Sequence, residues 1–502
     1  MRRRGRAAAF LYLAAFVVLG GRAAAADLPR EIERLLASSA PAQAAFWGIQ
    51  IVDLGSGRTL YELNSGKLFA PASNTKLFTA ALAIARLGVD FAFQTRVLAA
   101  SAPDAEGRIH GSLVLAGGGD PNLSGRAIPY RPDSRPGDPL AAIEDLAGQV
   151  AARGVKRVDG DIVGDDSWYV WEPYADGWAI DDPQFDFGAP VSALAVNDNA
   201  LTVSIRPGAR AGELAEVAPD PALEYYGIEN RIRTVAVGGA RRIAFERDPG
   251  GSQLRLWGTI PLRDPGQTLM LGIEDPARYA AWALREALEA RGIVVSGDAV
   301  ARHLYRDEVA DLKQGTPAAD LSGVELARRV SAPLLEDLRV AAKTSQNLHA
   351  EMALRAVGRS RRGVGSREAG LEELQAFLGE AGIGPNAFNF ADGSGLTRLN
   401  LVTPAAVVEL LRYMYASPSR DNWISLLPVS GQDGTLSGRL GGAEAGRIYA
   451  KTGTLSHVSA LSGYAKRPGG GLLAFSILVN NYAVPVSDIR GVMDRICTLM
   501  VE

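Results

Sequence analysis

The sequence predicts an α+β fold: an antiparallel sheet packed with helices and interrupted along the chain by a large β-rich insert. Three observations lead there. Strand-like runs stand at both ends of the chain, helix-like sequence flanks a long middle region, and that middle region has a different texture. At 502 residues with 47% hydrophobic content, the chain has room for two or three domains with real cores.

Residues 1–26 read as a signal peptide rather than as part of the fold. Arg2, Arg3, Arg4 and Arg6 form a charged start, Ala7 to Leu19 a short apolar run, and Ala23 to Ala26 a small-residue cleavage region. The apolar run is too short to span a bilayer comfortably. Removing the five arginines at positions 2, 3, 4, 6 and 22 takes the formal charge from −3 to −8, which gives no support to a nucleic-acid partner. Export to the periplasm without a stable membrane anchor is the expectation.

An opening helix is expected over about Leu28 to Ala37. Phe46 to Asn64 then reads as a hairpin turning at Gly55-Ser56-Gly57. Ser73 to Leu87 is apolar nearly all round and stops at Gly88, the mark of a buried helix. From Thr95 to Gly323 come short β-rich runs broken by Gly and Pro, with Trp168, Trp171 and Trp178 among them. Leu334 to Arg355, Ser366 to Ala381 and Thr403 to Tyr415 read as helices. Arg447 to Thr454, Val458 to Ala465 and Leu472 to Asn480 read as three strands that could join the first two in one sheet. A helix from Val486 to Met500 would cover that sheet. It carries the only cysteine, Cys497, in an apolar stripe with Ile489, Val492, Met493, Ile496 and Met500, so packing rather than reactivity is expected. The implied division is 27–95 and 324–502 for one domain, with 96–323 inserted.

Three short motifs carry the chemistry: Ser73-Asn74-Thr75-Lys76, Ser345-Gln346-Asn347 and Lys451-Thr452-Gly453. Lysine is scarce, at seven residues against 46 arginines (53 Lys+Arg minus 7), yet Lys76 and Lys451 are motif members and Lys343 lies two residues before the second motif. An amine can lose its proton when buried; a guanidinium cannot. Ser73 and Lys76, three apart at a helix start, share one face, so a neutral Lys76 could take the Ser73 proton. Ser345 is placed to relay a proton and Asn347 to hold an amide carbonyl. Lys451 and Thr452 suit a free carboxylate on an edge strand, where Gly453 allows close backbone approach. The N–H groups of Thr454 and Ser73 would form an oxyanion hole. With no Gly-x-Ser-x-Gly elbow and only four histidines, a Ser-His-Asp arrangement is unsupported. No cluster has metal-ligand spacing, so neither metal nor cofactor is expected. Gly117-Gly118-Gly119-Asp120-Pro121 lacks the ending of a phosphate loop and reads as a turn.

Together the motifs are the Ser-x-x-Lys, Ser-x-Asn and Lys-Thr-Gly set of penicillin-binding proteins and serine β-lactamases. Over nearly all of its length after residue 26, the chain resembles D-alanyl-D-alanine carboxypeptidase/endopeptidases of the penicillin-binding protein 4 type, the class C low-molecular-mass group. Leu115 to Pro121, Gly188 to Leu194, Asp392 to Arg398 and Leu427 to Gly431 carry the likeness beyond the motifs. Gln346 departs from the more usual Asp or Asn. The resemblance implies a penicillin-binding/β-lactamase-like transpeptidase domain, acylation of Ser73 by peptidoglycan stem peptides, release of terminal D-alanine, and covalent inhibition by β-lactam antibiotics. It also implies that an acidic residue of the insert, here Asp165, helps recognise a diaminoacid amine. The sequence leaves oligomeric state open, a homo-oligomer included, and Lys76 is the default base for deacylation. Two rival readings remain: a β-lactamase or esterase on the same scaffold, against which the insert argues, and a catalytically silent cell-wall binding module.

Overall fold

The computed structural model describes residues 28–132, 137–248, 250–315 and 322–502. The signal-peptide reading falls outside the described residues. A five-stranded antiparallel sheet is built from both ends of the chain, in the spatial order Ile448–Leu455, Val458–Lys466, Leu472–Asn480, Phe46–Asp53, Thr59–Leu63. Phe46–Asp53 pairs with Leu472–Asn480 from Phe46↔Asn480 to Asp53↔Leu473, which fixes the register across more than 400 residues of sequence. One face of this sheet packs under the helix at 28–38 and the terminal helix Val486–Val501, where Ile489, Val492, Ile496 and Cys497 are buried. Burial pushes the Cys497 thiol upward, as expected of a packing residue.

The other face carries the helical layer. Thr75–Leu87 lies at its centre and is buried over Thr75 to Ile84. Around it stand Arg367–Glu380, capped by Ser366, and Pro404–Ala416, capped by Thr403. The run expected as one helix from Leu334 to Arg355 is instead two, Leu334–Lys343 and Asn347–Arg362. The break falls at the second motif. Ser345 takes a left-handed φ of 64°, and Lys343 closes its helix by donating to Leu427 O and pairing with Asp433, each at 2.6 Å. Lys343 is thus a structural anchor.

The middle segment is less purely β than its texture suggests. Its main sheet, ordered Ala299–Leu304, Ile162–Val170, Leu113–Ala116, Gln94–Ala99, Val324–Val330, mixes parallel and antiparallel pairs. Two helices, Ala141–Ala152 and Pro276–Glu289, share its apolar core. Val324–Val330, expected to open the second catalytic part, pairs with Gln94–Ala99 in this sheet, so the segment's own hydrogen bonding runs on to Val330. The three tryptophans do not cluster. Trp168 lies under Arg359, Trp171 stacks on His303, and Trp178 donates to Asp392. Gly117 to Asp120 is irregular chain rather than a turn, with Gly117 N and Gly119 N donating to Asp165 O and Ala193 O and the turn beginning at Pro121; a side chain at Gly119 (φ +88°) would run into Tyr169 Oη.

Candidate active site

The three motifs meet at the junction of the sheet, the helical layer and the middle segment. A 3₁₀ turn, Ala72–Asn74, leads into the buried helix, and Ala72 just before the nucleophile has a left-handed φ of 47°. Strain of that kind persists where surrounding contacts over-determine it. Here Asn74 Nδ2 donates to Lys451 O at 2.9 Å, locking the turn to the edge strand. Between Pro71 and Ala80 only Ser73 keeps solvent exposure.

Lys76 is 2% exposed, and its Nζ lies 2.9 Å from Ser73 Oγ, 2.6 Å from Asn347 Oδ1 and 2.7 Å from Ser394 O. Asn347 Nδ2 donates to Phe187 O at 2.7 Å, which turns its Oδ1 toward the amine. Two of the three neighbours of Nζ therefore only accept. A neutral amine spends its two hydrogens on them and aims its lone pair at the Ser73 hydroxyl. Burial pushes the Lys76 amine down to about 7, against the pull of Asp392 and Glu351. This is the electrostatics a general base needs at neutral pH.

Lys451 is fully buried, and its Nζ donates to Ser345 Oγ at 2.8 Å and Thr452 O at 2.9 Å. Burial, and then the neighbouring Lys76, push this amine well below its ordinary range. Among the described residues its hydrogen-bond partners are neutral oxygens, so an anionic ligand would supply the countercharge it lacks. Thr452 Oγ1 is 2.7 Å from Thr435 Oγ1 on the Gly434–Leu436 turn. The strand Ile448–Leu455 is at the sheet edge. Ala450 N donates outward to Pro428 O at 3.0 Å, and alternate residues along a strand point the same way, so Thr452 and Thr454 direct backbone groups to the open side. Gly453 brings that edge against the nucleophile turn: a Cβ there would sit 2.7 Å from Pro71 O and 3.1 Å from Ser73 N.

Ser73, Lys76, Ser345, Asn347, Lys451, Thr452 and Gly453 are thus brought together, with Thr454 next along the strand. Ser345 is hydrogen-bonded to Lys451, not to Lys76, which shifts its expected relay toward the third motif. Asp165 is not brought to this group. Its carboxylate is buried in the middle segment's sheet, where Oδ1 accepts from Ser167 N (3.0 Å) and Oγ (2.6 Å) and Oδ2 pairs with Arg302 at 3.0 Å. A carboxylate so engaged is a strand-turn fastener, and the substrate role assigned to it is withdrawn.

Sequence reasoning missed the groups that hold the motif side chains. The carbonyls of Phe187 and Ser394 carry no side-chain signature. Asp392 accepts from Gly395 N, Thr397 N, Asn400 Nδ2 and Trp178 Nε1 at 2.6–3.0 Å, shaping the loop that offers Ser394 O. Asn197, Asp198 and Asn199 are all left-handed (φ 50°, 57° and 52°), and Asp198 receives Gln346 Nε2 at 3.0 Å as well as Arg126 and His349. Burial alone would raise the Asp198 carboxyl, but His349 and the Arg126 guanidinium hold it well below the usual range. Of the segments that carry the resemblance, Asp392 to Arg398 shapes the Ser394 loop and Leu427 to Gly431 receives Lys343 at Leu427 O.

Comparison with known proteins agrees with this geometry. The D-Ala-D-Ala carboxypeptidase 3 (S13) family matches residues 28–500. The D-alanyl-D-alanine carboxypeptidase of Actinomadura sp. (strain R39) is 36% identical over 521 residues, spanning 100% of this chain and 90% of its own. D-alanyl-D-alanine carboxypeptidase DacB of Haemophilus influenzae is 24% identical over 438 residues, covering 86% of this chain and 84% of that one. The crystal structure of penicillin binding protein 4 (dacB) from Haemophilus influenzae has the same fold, with a TM-score of 0.77 at 22% identity over 93% of this chain and 97% of that one. The chain therefore belongs to the D-Ala-D-Ala carboxypeptidase 3 (S13) family of serine peptidases and is a D-Ala-D-Ala carboxypeptidase.

Proposed function

We propose that catalysis runs through an acyl-enzyme on Ser73, and that the chain both trims terminal D-alanine from peptidoglycan stem peptides and cuts D-Ala-diaminopimelate cross-links. The observation that carries the first part is the Lys76 amine, flanked by two acceptors with its remaining direction toward Ser73 Oγ. Ser73 Oγ bonds the carbonyl carbon while its proton passes to Lys76. The oxyanion forms between the N–H groups of Ser73 and Thr454. The C–N bond then breaks, and the leaving amine takes the proton that Lys76 received, passed on by way of Ser345, which Lys451 orients, so Lys76 is neutral again. Lys451 and Thr452 hold the terminal carboxylate. Water then attacks the ester, giving its proton to Lys76, which hands it to Ser73 Oγ as the ester C–O bond breaks.

In this reading the parts before Gln94 and after Val330 form the catalytic domain, with an insert between them. Cross-link cleavage needs room beyond the carboxylate clamp. A cavity of about 420 Å³, bordered by Thr344 and Gln346 on either side of Ser345 and by Arg126, Tyr130 and Asp186, offers it. Action in the periplasm follows from the substrate and from the signal-like residues 1–26; among the described residues no helix is long and apolar enough to cross a membrane.

Incubation with benzylpenicillin, followed by intact mass, tests the mechanism. A persistent one-equivalent adduct that maps to Ser73 and is absent from Ser73→Ala is expected. A fast-vanishing adduct would favour the β-lactamase reading, and none at all the silent module.

A further inference from the structure

The helix Asn347–Arg362 carries a stripe of functional groups spaced by four, Asn347, Glu351 and Arg355, so one face of one helix serves the site three times. Only the first belongs to a motif. Glu351 is 0% exposed, and its Oε1 accepts from Gly393 N at 2.9 Å and Ser394 N at 2.8 Å. These two bonds hold the short loop whose next carbonyl, Ser394 O, meets Lys76 Nζ at 2.7 Å. Thr79 fastens the same loop from the nucleophile helix by donating to Gly393 O at 2.7 Å. Glu351 Oε2 receives Arg355 Nη1 at 3.0 Å, and Arg355 Nη2 in turn donates to Glu172 O at 3.0 Å. Every hydrogen-bond neighbour of the carboxyl is a donor, so a proton on it would find no acceptor. The arrangement specifies the ionised carboxylate.

We infer that Glu351, held by Arg355, is a positioning residue for acylation: it carries the loop that presents Ser394 O to Lys76 and sets a negative charge behind that amine. The inference rests on the reading of Lys76 as the base. The charged groups facing Lys76 are Glu351 and Asp392 on one side and Lys451 on the other. Those facing Glu351 are Lys76, Arg355 and Asp392; burial and then Asp392 push its carboxyl upward, and Arg355 pulls against them. Asp392 is tied down by five other donors, the Ser394 hydroxyl among them, and shapes its own turn. Glu351 is the carboxylate whose hydrogen bonds run directly to the Ser394 peptide. Removing its charge leaves the ammonium form of Lys76 less supported, so the base should be neutral at lower pH.

The test is the rate constant of acylation by benzylpenicillin across pH, with thermal unfolding measured alongside. For Glu351→Gln the acidic limb should move down by about one pH unit, while the apparent binding constant for the β-lactam stays put. A folded Glu351→Gln enzyme with the wild-type limb overturns the inference. If that variant does not fold, Glu351→Leu combined with Arg355→Leu removes the buried pair together, a change such sites often tolerate. The double variant should acylate about tenfold more slowly, the order expected when a positioning contact is lost, with its binding constant unchanged; an unchanged rate overturns the inference. Lys76→Arg in the same assay separates the two readings. If it acylates with the wild-type limb, the base assignment fails. If it is inert while folded Glu351→Gln keeps the limb, only the role of Glu351 fails.

Discussion

Replacing Gly453 by alanine perturbs a contact between the edge strand and the nucleophile turn. The new Cβ would lie 2.7 Å from Pro71 O, 3.1 Å from Ala460 Cβ and 3.1 Å from Ser73 N, where ordinary contact begins near 3.4 Å. Restoring that contact requires the strand and turn to part by roughly 0.7 Å at Pro71 (3.4 minus 2.7) and roughly 0.3 Å at Ser73. Pro71 O and Ser73 N are backbone atoms and cannot swing aside as a flexible side chain would. Overpacking of this size costs about 1–3 kcal/mol of stability. The larger effect falls on chemistry, because the proposed oxyanion hole needs Ser73 N and Thr454 N to converge on one oxygen and such sites tolerate about 0.5 Å of error. An acylation rate constant lower by roughly 10- to 100-fold follows, with a smaller change in the binding constant. Stopped-flow acylation by a chromogenic β-lactam, beside a thermal melt, measures both. A variant that acylates at the wild-type rate would show that the close approach at Gly453 is unrelated to the oxyanion geometry.

Two further outcomes follow from the site. Acylation should lose about tenfold per pH unit below about pH 7, because below its depressed value Lys76 is an ammonium without a lone pair for the Ser73 proton; a rate flat from about pH 5 to about pH 9 would remove Lys76 as the base. Asp165→Asn should lower the melting temperature and leave KM unchanged, since the carboxylate serves Arg302 and Ser167.

The catalytic sheet was legible because its strands are short β-rich apolar runs, buried on both faces over Val458 to Ala465 and Leu473 to Asn480, and because glycines mark the turns at 55–57 and 469–471. The helices Thr75–Leu87 and Val486–Val501 were legible for the matching reason, a sustained apolar stripe. The break at Ser345 was not, since Thr344-Ser345-Gln346 holds neither Gly nor Pro; tertiary anchors at Lys343 and Asp198 impose it. Ala141–Ala152 and Pro276–Glu289 were submerged in a region whose Gly and Pro breaks dominated its reading. At the site, the motif side chains could be read because acyl transfer demands particular functional groups at particular spacings. The Phe187 and Ser394 carbonyls could not, because every residue has one. Asp165 matches the resemblance by sequence position alone, and only the fold shows its carboxylate paired with Arg302.

The middle segment leaves the catalytic part on Gln94–Ala99 and returns on Val324–Val330, and these two strands pair with each other. More than two hundred residues are thus tied off at a narrow waist, and their insertion asks little loop-closure entropy of the surrounding chain. The tie is structural, yet the chemistry is not confined to one side of it. Asn347 takes its orientation from Phe187, and Gln346 is gripped by Asp198, both beyond the waist. A chain in which only the terminal sheet and helices had folded would possess Ser73, Lys76 and Lys451 but lack the Phe187 and Asp198 contacts that orient Asn347 and Gln346. Activity in this architecture is a readout of complete folding, granted only when the middle segment has packed Tyr169, Val191 and Ala193 into the core of the catalytic helices.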